Sequence, residues 1–178
     1  MLILIGPSAS GKTEVAKILI SKYGMQRLVT YTTRKKRVGE IDGRDYHFLT
    51  VPEFLKLNAE GEFVETTLYN GNYYGSRKKD VSFEKVVILD PNGLRCYAEK
   101  LKGKITAIFL KTPKEVRKER MILRGDDPEL IKLRLKKDDE IFQSSKLPLD
   151  FIVPNNGIDL ETLAIYVYNL YCNHQENK

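Results

Sequence analysis

The residues best placed to do chemistry stand at the start of the chain. Gly6, Gly11, Lys12 and Thr13 fall within GPSASGKT (6–13), directly behind the apolar run LILI and ahead of the amphipathic run EVAKILISKY. The pattern G-x-x-x-x-G-K-[ST] between a strand and a helix is a phosphate-binding loop. Its glycines turn without a side-chain penalty and leave backbone N–H groups pointing inward, an anion cradle at a helix N-terminus. Lys12 would reach the terminal phosphates of a nucleotide and Thr13 would hold Mg²⁺. Further on, VVIL runs into Asp90, the form of a buried strand that delivers a carboxylate to the metal side of such a loop. Between the two, TYTTRKKRVGEIDGRDYHF (30–48) interleaves Arg34 and Arg37 with threonine and Tyr46. That mixture suits a nucleic-acid backbone or a single mononucleotide phosphate, and RKKR alone reads as a solvated patch.

The elements that must position these residues show in the periodicity. Strand-like apolar runs recur as LILI (2–5), LVTYT (28–32), VVIL (86–89), ITAIFL (105–110) and FIV (151–153), most of them separated by stretches of helical period. Leu160, Leu163, Ala164, Val167 and Leu170 make one apolar helix face near the C-terminal end. This alternation predicts a parallel sheet covered by helices on both sides. Two segments break the rhythm. In 31–76, FVETTLY and NYYG flank the Asn70-Gly71 dipeptide, a strong hairpin signal, so the segment reads as a small β-rich insertion. In 112–141, KEVRKERMILRGDDPELIKLRLKKDDE predicts two charged helices hinged at RGDDP, a polar flap in which most charges pair with one another. Arg120 and Arg124 are like-charged i, i+4 neighbours, an arrangement that favours an anion across them.

Composition narrows the class of protein. The 178 residues, 42% hydrophobic and 30% charged, suit one globular domain with a real core and argue against disorder. No apolar run reaches the roughly 20 residues of a membrane span, and no charged region precedes LILI, so the expectation is a cytoplasmic protein. Cys96 and Cys172 stand far apart without zinc-ligand spacing and read as ordinary thiols. The net charge of +6 favours anionic partners without choosing among them.

In order and spacing, GPSASGKT, TTRKKRVGEIDGRDYHF, GEFVE (61–65), NGNYYGS (70–76) and the flap arginines resemble the guanylate kinase family over nearly the whole chain. The resemblance implies an α/β fold of the P-loop type in three layers, with a parallel five-stranded core sheet. To that core it adds a small mixed α/β insertion for the nucleoside monophosphate and a helical lid. One domain (1–178) then divides into a core of 1–30, 77–111 and 142–178, a GMP-binding subdomain of 31–76 and a lid of 112–141. ATP would be bound by Gly6, Pro7, Ser8, Ala9, Ser10, Gly11, Lys12, Thr13, Arg120, Arg124 and Asn155. GMP would be bound by Thr30, Arg34, Arg37, Tyr46, Glu65, Tyr74, Ser76 and Asp90, with Thr30, Arg34, Arg37, Tyr46 and Tyr74 on its phosphate. Lys12, Arg34, Arg120, Arg124 and Arg134 would act on the transferred phosphoryl group, and Mg²⁺ would sit at Thr13 and Asp90, partly through water. The implied partners are the nucleotides ATP and GMP, with no nucleic acid or membrane, and the implied assembly is a monomer or homodimer.

The chemistry is coherent apart from the resemblance. A phosphate acceptor with a second pKa near ~6 is already mostly dianionic at neutral pH, so no general base is required, and neither His47 nor His174 is assigned one. An ionised Glu65 can accept both N1–H and the exocyclic amino group of guanine while Ser76 donates to O6. Three departures stand against the family pattern: Ile88 where a further aspartate is usual, a lid about one residue shorter between Arg124 and Arg134, and Pro154 beside the adenine loop. They leave two other readings, a kinase for another purine or deoxynucleoside monophosphate, and a non-catalytic binding module of the same scaffold. The intact loop argues against the second.

Overall fold

Alternation along one short strand divides the interior in two. The structure is a computed structural model and describes residues 1–69 and 71–176. In chain order the elements are β1 (Leu2–Ile5), α1 (Lys12–Lys22), β2 (Gln26–Arg27), β3 (Tyr31–Thr32), β4 (His47–Phe48), α2 (Val51–Ala59), β5 (Phe63–Tyr69) and β6 (Asn72–Arg77). They continue with β7 (Lys85–Ile88), α3 (Pro91–Lys100), β8 (Thr106–Lys111), α4 (Lys114–Leu123), α5 (Pro128–Ile141), β9 (Phe151–Pro154) and α6 (Leu160–Glu176). β1 lies at the centre of a parallel sheet ordered β2-β7-β1-β8-β9, with Leu2 opposite both Val86 and Thr106.

Because side chains alternate across a strand, Leu2 and Leu4 join Val15, Leu19, Leu163, Ala164, Val167 and Tyr171 under α1 and α6. Ile3 and Ile5 join Leu94, Tyr97, Leu101 and Phe109 under α3. Each fully buried aliphatic side chain contributes about 1.5–3 kcal/mol, so these two layers hold the sheet that carries the loop. This is the three-layer α/β arrangement with a five-stranded parallel sheet that the sequence predicts. The apolar face of α6 falls as read, with Leu163, Ala164 and Val167 buried. Near its end the Tyr171 hydroxyl donates to the Phe83 carbonyl at 2.6 Å, and Gln175 donates to Thr106 Oγ1.

LVTYT does not form one strand. Gln26–Arg27 pairs with β7 in the core sheet, while Tyr31–Thr32 pairs with β4 and β6 in a second sheet ordered β4-β3-β6-β5. The chain leaves one sheet for the other between them, a crossing that continuous β propensity conceals. β5 and β6 are antiparallel, with Tyr69 opposite Asn72. Of the dipeptide read as their turn, Asn70 lies outside the described residues and Gly71 has φ +73°. The insertion has its own small core of Tyr31, Phe54 and Phe63, with α2 started by a Thr50–Glu53 capping box. The flap forms the helical pair α4 and α5, packed through Met121, Ile131 and Leu135 with Ala9 of the loop against them. Among the described residues no helix is long and apolar enough to cross a membrane.

Candidate active site

Residues 6–11 leave β1 and turn into α1, whose first residue is Lys12. The turn depends on glycine at two points. Gly6 has φ +146°, and a Cβ there would lie 2.7 Å from the Leu110 carbonyl oxygen. Gly11 has φ +96°, and its Cβ would meet the Asn155 amide at 2.9 Å. Ala9 also takes a positive φ of 58°, which a small side chain tolerates at a cost of about 1 kcal/mol. Beneath the loop, Asn155 Nδ2 and Thr112 Oγ1 both donate to the Ser10 carbonyl, at 3.0 and 3.2 Å. Asn155, which the sequence reading counts among the ATP-binding residues, is wholly buried, and its amide braces the loop from behind.

Lys12 Nζ donates to the carbonyls of Gly6 and Pro7, both at 2.7 Å, and to Ser10 Oγ at 3.2 Å. Burial lowers its pKa to about 8, a shift that Asp138 opposes and Arg117 reinforces. Ala9, Ser10, Gly11, Lys12, Thr13 and Arg120 border a cavity of about 330 Å³ that Arg124 and Leu160 also line. Arg120 crosses from α4 to donate to the Ala9 carbonyl at 3.2 Å. Arg124 and Arg134 converge on one carboxylate, Asp126, Arg124 Nε at 2.9 Å and Arg134 Nη1 at 3.0 Å. The like-charged Arg120 of α4 and Arg124, which caps its C-terminus, are thus separated, one on the loop and one on Asp126.

The insertion gathers a second cationic group. The Arg34 guanidinium pairs with Glu40 at 2.6 Å and lies 5.4 Å from the centre of the Tyr46 ring, which meets Tyr74 edge to face at 6.1 Å. Arg37 joins through its backbone N–H, 2.8 Å from Glu40 Oε2, and its side chain is exposed. Thr30 supplies its carbonyl to His47 N–H at 2.9 Å, which ties β4 to the crossing. On the neighbouring hairpin Ser76 Oγ donates to Glu65 Oε1 at 2.9 Å. Burial raises the Glu65 pKa; the Ser76 bond works against that shift and the Asp90 charge adds to it.

Asp90 caps α3, accepting the Gly93 N–H at 2.7 Å, and lines a cavity with Arg95 and Lys137. The cavity that Thr13 lines beside β7, about 430 Å³ in volume, takes Ile88 and Thr30. Among the described residues there is no cluster of three or more His, Cys, Asp or Glu side chains that could hold a metal. The Thr13 hydroxyl, in the first turn of α1 beside the loop, fits Mg²⁺ brought in on nucleotide phosphates, since that ion keeps several waters and needs only one or two protein oxygens.

Four residues escape the sequence reading: Glu40, Arg117, Asp126 and Asp138. Asp138 of α5 accepts from the Ser8 N–H at 2.8 Å, from Ser8 Oγ at 3.3 Å and from Arg117 Nη1 at 3.2 Å. Arg117 and Asp138 are almost completely buried. Both sit inside charged helical runs where a solvated partner is the default, and 21 residues separate them. Only the folding of α4 against α5 brings them together.

A phosphate-binding loop behind the central strand of this sheet, overhung by an arginine-bearing helical pair and faced by a strand-rich insertion, defines a P-loop kinase. The guanylate kinase family model matches residues 1–166, and the chain belongs to the guanylate kinase family. It is 32% identical over 181 aligned positions to a guanylate kinase of Anaplasma phagocytophilum, covering 96% of this chain and 84% of that one. With a guanylate kinase of Wolinella succinogenes the identity is 35%, over 89% of this chain and 77% of the relative. The crystal structure of the Anaplasma phagocytophilum guanylate kinase superposes with a TM-score of 0.66 at 27% identity, covering 98% of this chain and 85% of that one. A gluconokinase from Sinorhizobium meliloti shares the fold, with a TM-score of 0.56 at 19% identity over 99% of this chain and 93% of that one.

Proposed function

We propose that the protein transfers the γ-phosphoryl group of ATP directly to GMP or dGMP, releasing ADP and GDP or dGDP, in the cytoplasm where these nucleotides are at hand. The observation that carries this reading is the Glu65–Ser76 pair on the hairpin, a carboxylate and a hydroxyl set side by side as a guanine edge requires, in a chain whose phosphate loop is intact. Adenine offers an unprotonated N1 to that carboxylate and leaves buried groups unpaired, a mismatch that can reach ~10⁴-fold.

ATP phosphates lie along residues 6–13, with Lys12 turning from the loop carbonyls to the β and γ oxygens. Arg34, Tyr46 and Tyr74 receive the acceptor phosphate, with Arg37 at its edge. Glu40 keeps Arg34 aligned, and Asp126 keeps Arg124 and Arg134 together until the phosphates compete for them. Thr13 is the side chain that would hold Mg²⁺ bound with ATP, and the ion would supply charge neutralisation at the transferred phosphate. Asp90 belongs with the acceptor base beside Glu65. Because the acceptor is already dianionic, the protein supplies position and positive charge and no proton transfer is needed. A second reading, another purine or deoxynucleoside monophosphate as acceptor, draws support from Ile88, an apolar side chain 38% exposed in the cavity that Thr13 and Thr30 share.

The test is ADP release with ATP and Mg²⁺ against GMP, dGMP, AMP, CMP and UMP, with Lys12→Ala as control. GMP-dependent turnover that falls by about 10³-fold or more in the control is the expected result. Turnover with another acceptor and none with GMP would transfer the case to the second reading. Silence with all five would overturn the first reading and favour a non-catalytic binding module or an acceptor outside the five.

A further inference from the structure

Tyr97, in the middle of α3, is wholly buried, and its hydroxyl has no hydrogen-bond partner. Its ring belongs to the core under α3, among Val64 of β5, Leu94 and Leu101. The groups its hydroxyl faces are polar: Ser76 stands next to it without closing a bond of good geometry, and the carboxylates of Glu65 and Asp80 are close enough to act on it. An apolar core has no use for a phenol that must forfeit a hydrogen bond; phenylalanine would fill the same volume at no such cost. The unpaired hydroxyl instead lies beside the Ser76–Glu65 pair, to which the proposed function gives the reading of the acceptor base.

We infer that Tyr97 is a specificity-determining positioning residue that acts through Ser76: its hydroxyl donates to Ser76 Oγ when the acceptor is bound and so turns the serine proton toward a keto oxygen at position 6 of a purine. The inference rests on the reading of GMP as acceptor. A serine hydroxyl carries one proton and two lone pairs, so alone it serves as donor or acceptor equally well. Without a base, that proton is committed to Glu65 at 2.9 Å. When the base takes both carboxylate oxygens of Glu65, the Ser76 proton must be redirected. A donor from behind occupies one Ser76 lone pair and polarises the hydroxyl, which strengthens it as a donor and weakens it as an acceptor. The Tyr97 phenol is suited to that part, because burial and the neighbouring carboxylates keep its proton on at any working pH. Tyr97 touches neither base nor phosphate, so it is not a catalytic residue.

The experiment is equilibrium binding of two probes, GMP and 6-thio-GMP, which keeps N1–H and the exocyclic amino group but carries sulfur, a weak acceptor, in place of O6, to the unmodified chain and to Tyr97→Phe, Ser76→Ala and the double variant. Tyr97→Phe is expected to weaken GMP by about 3- to 10-fold, the range of one neutral hydrogen bond, and to weaken the second probe less. In the Ser76→Ala background the same substitution is expected to have no effect on GMP, since the partner it works through is gone. The melting temperature of Tyr97→Phe should not fall, which separates this role from a packing role. Equal weakening of both probes, the same factor in both backgrounds, or no weakening at all would overturn the assignment, and an equal factor in both backgrounds would point to Asp80 instead. Failure of the unmodified chain to bind GMP would overturn the acceptor reading and this inference together, and is seen in the first titration.

Discussion

Lys12 holds its ammonium against two carbonyl oxygens and a serine hydroxyl, and the burial that fixes it there also lowers its pKa to about 8. The charged form is the one that can meet phosphate, so kcat/KM for ATP is expected to fall as pH rises through about 8, a limb that reports the free enzyme. Phosphates in the loop favour the ammonium, so the same limb in kcat should move to higher pH. A pH profile of Lys12→Ala that keeps the limb would reject the assignment. The sign for stability is the opposite. Between about 8 and the ordinary 10.5, the unfolded lysine binds a proton that the folded one has lost, so the Lys12 contribution to stability grows with pH across that window. At this scale legibility follows sequence distance. Lys12 lies within a contiguous eight-residue signature, whereas Asp138, which shapes the field around it, is 130 residues from its Ser8 partner. Glu40 is nearer to Arg34, but a glutamate in a basic loop carries no mark of the arginine it will align.

Among the elements, the helical pair shows the most consequence from what was not legible. The sequence predicts α4, its RGDDP hinge and α5, and their structure follows: α4 ends at Leu123 and α5 begins at Pro128, with Asp127 capping it. What periodicity leaves out is that a buried ion pair, Arg117–Asp138, ties the two helices to each other while the same Asp138 accepts from the Ser8 N–H of the phosphate loop. Removing one partner of such a pair strands the other, at a typical cost of 3–5 kcal/mol. Arg117→Ala is therefore expected to lower stability by about 3 kcal/mol or more in a denaturant titration and to raise KM for ATP. The double variant Arg117→Met with Asp138→Leu should recover most of the stability and none of the affinity, because the Ser8 N–H is then left without its acceptor. Recovery of both would show that the loop does not depend on α5. The crossing from the core sheet, left at Arg27, to the second sheet, entered at Tyr31 within LVTYT, was hidden for a related reason: strand propensity says that a residue is extended and is silent about its neighbour.

Taken as a whole, the molecule is a rigid sheet carrying two appendages that bear the cationic groups. The proposed function requires both to approach the phosphates at once, excluding water that would otherwise consume ATP. Labels at Val38 and Leu123, both highly exposed on the insertion and the helical pair, are expected to draw closer when ATP and GMP are added together. An unchanged distance would argue that the site works without closure. The alternation of strands and helices made the sheet and its two covered faces readable, and the two insertions stood out because they interrupt it. A different lesson lies in the tail of α6. The family match stops at residue 166, yet Val167 and Tyr171 are fully buried, and Tyr171 both stacks on Phe83 and donates to its carbonyl. The family model therefore ends inside the cooperative unit, and the final turns of the helix act as a cork. A chain cut after residue 166 would lose an aromatic whose removal alone typically costs 3–5 kcal/mol, and it should melt far lower or aggregate. The trimming that the family model's boundary would recommend to a crystallographer is the cut that uncorks the core.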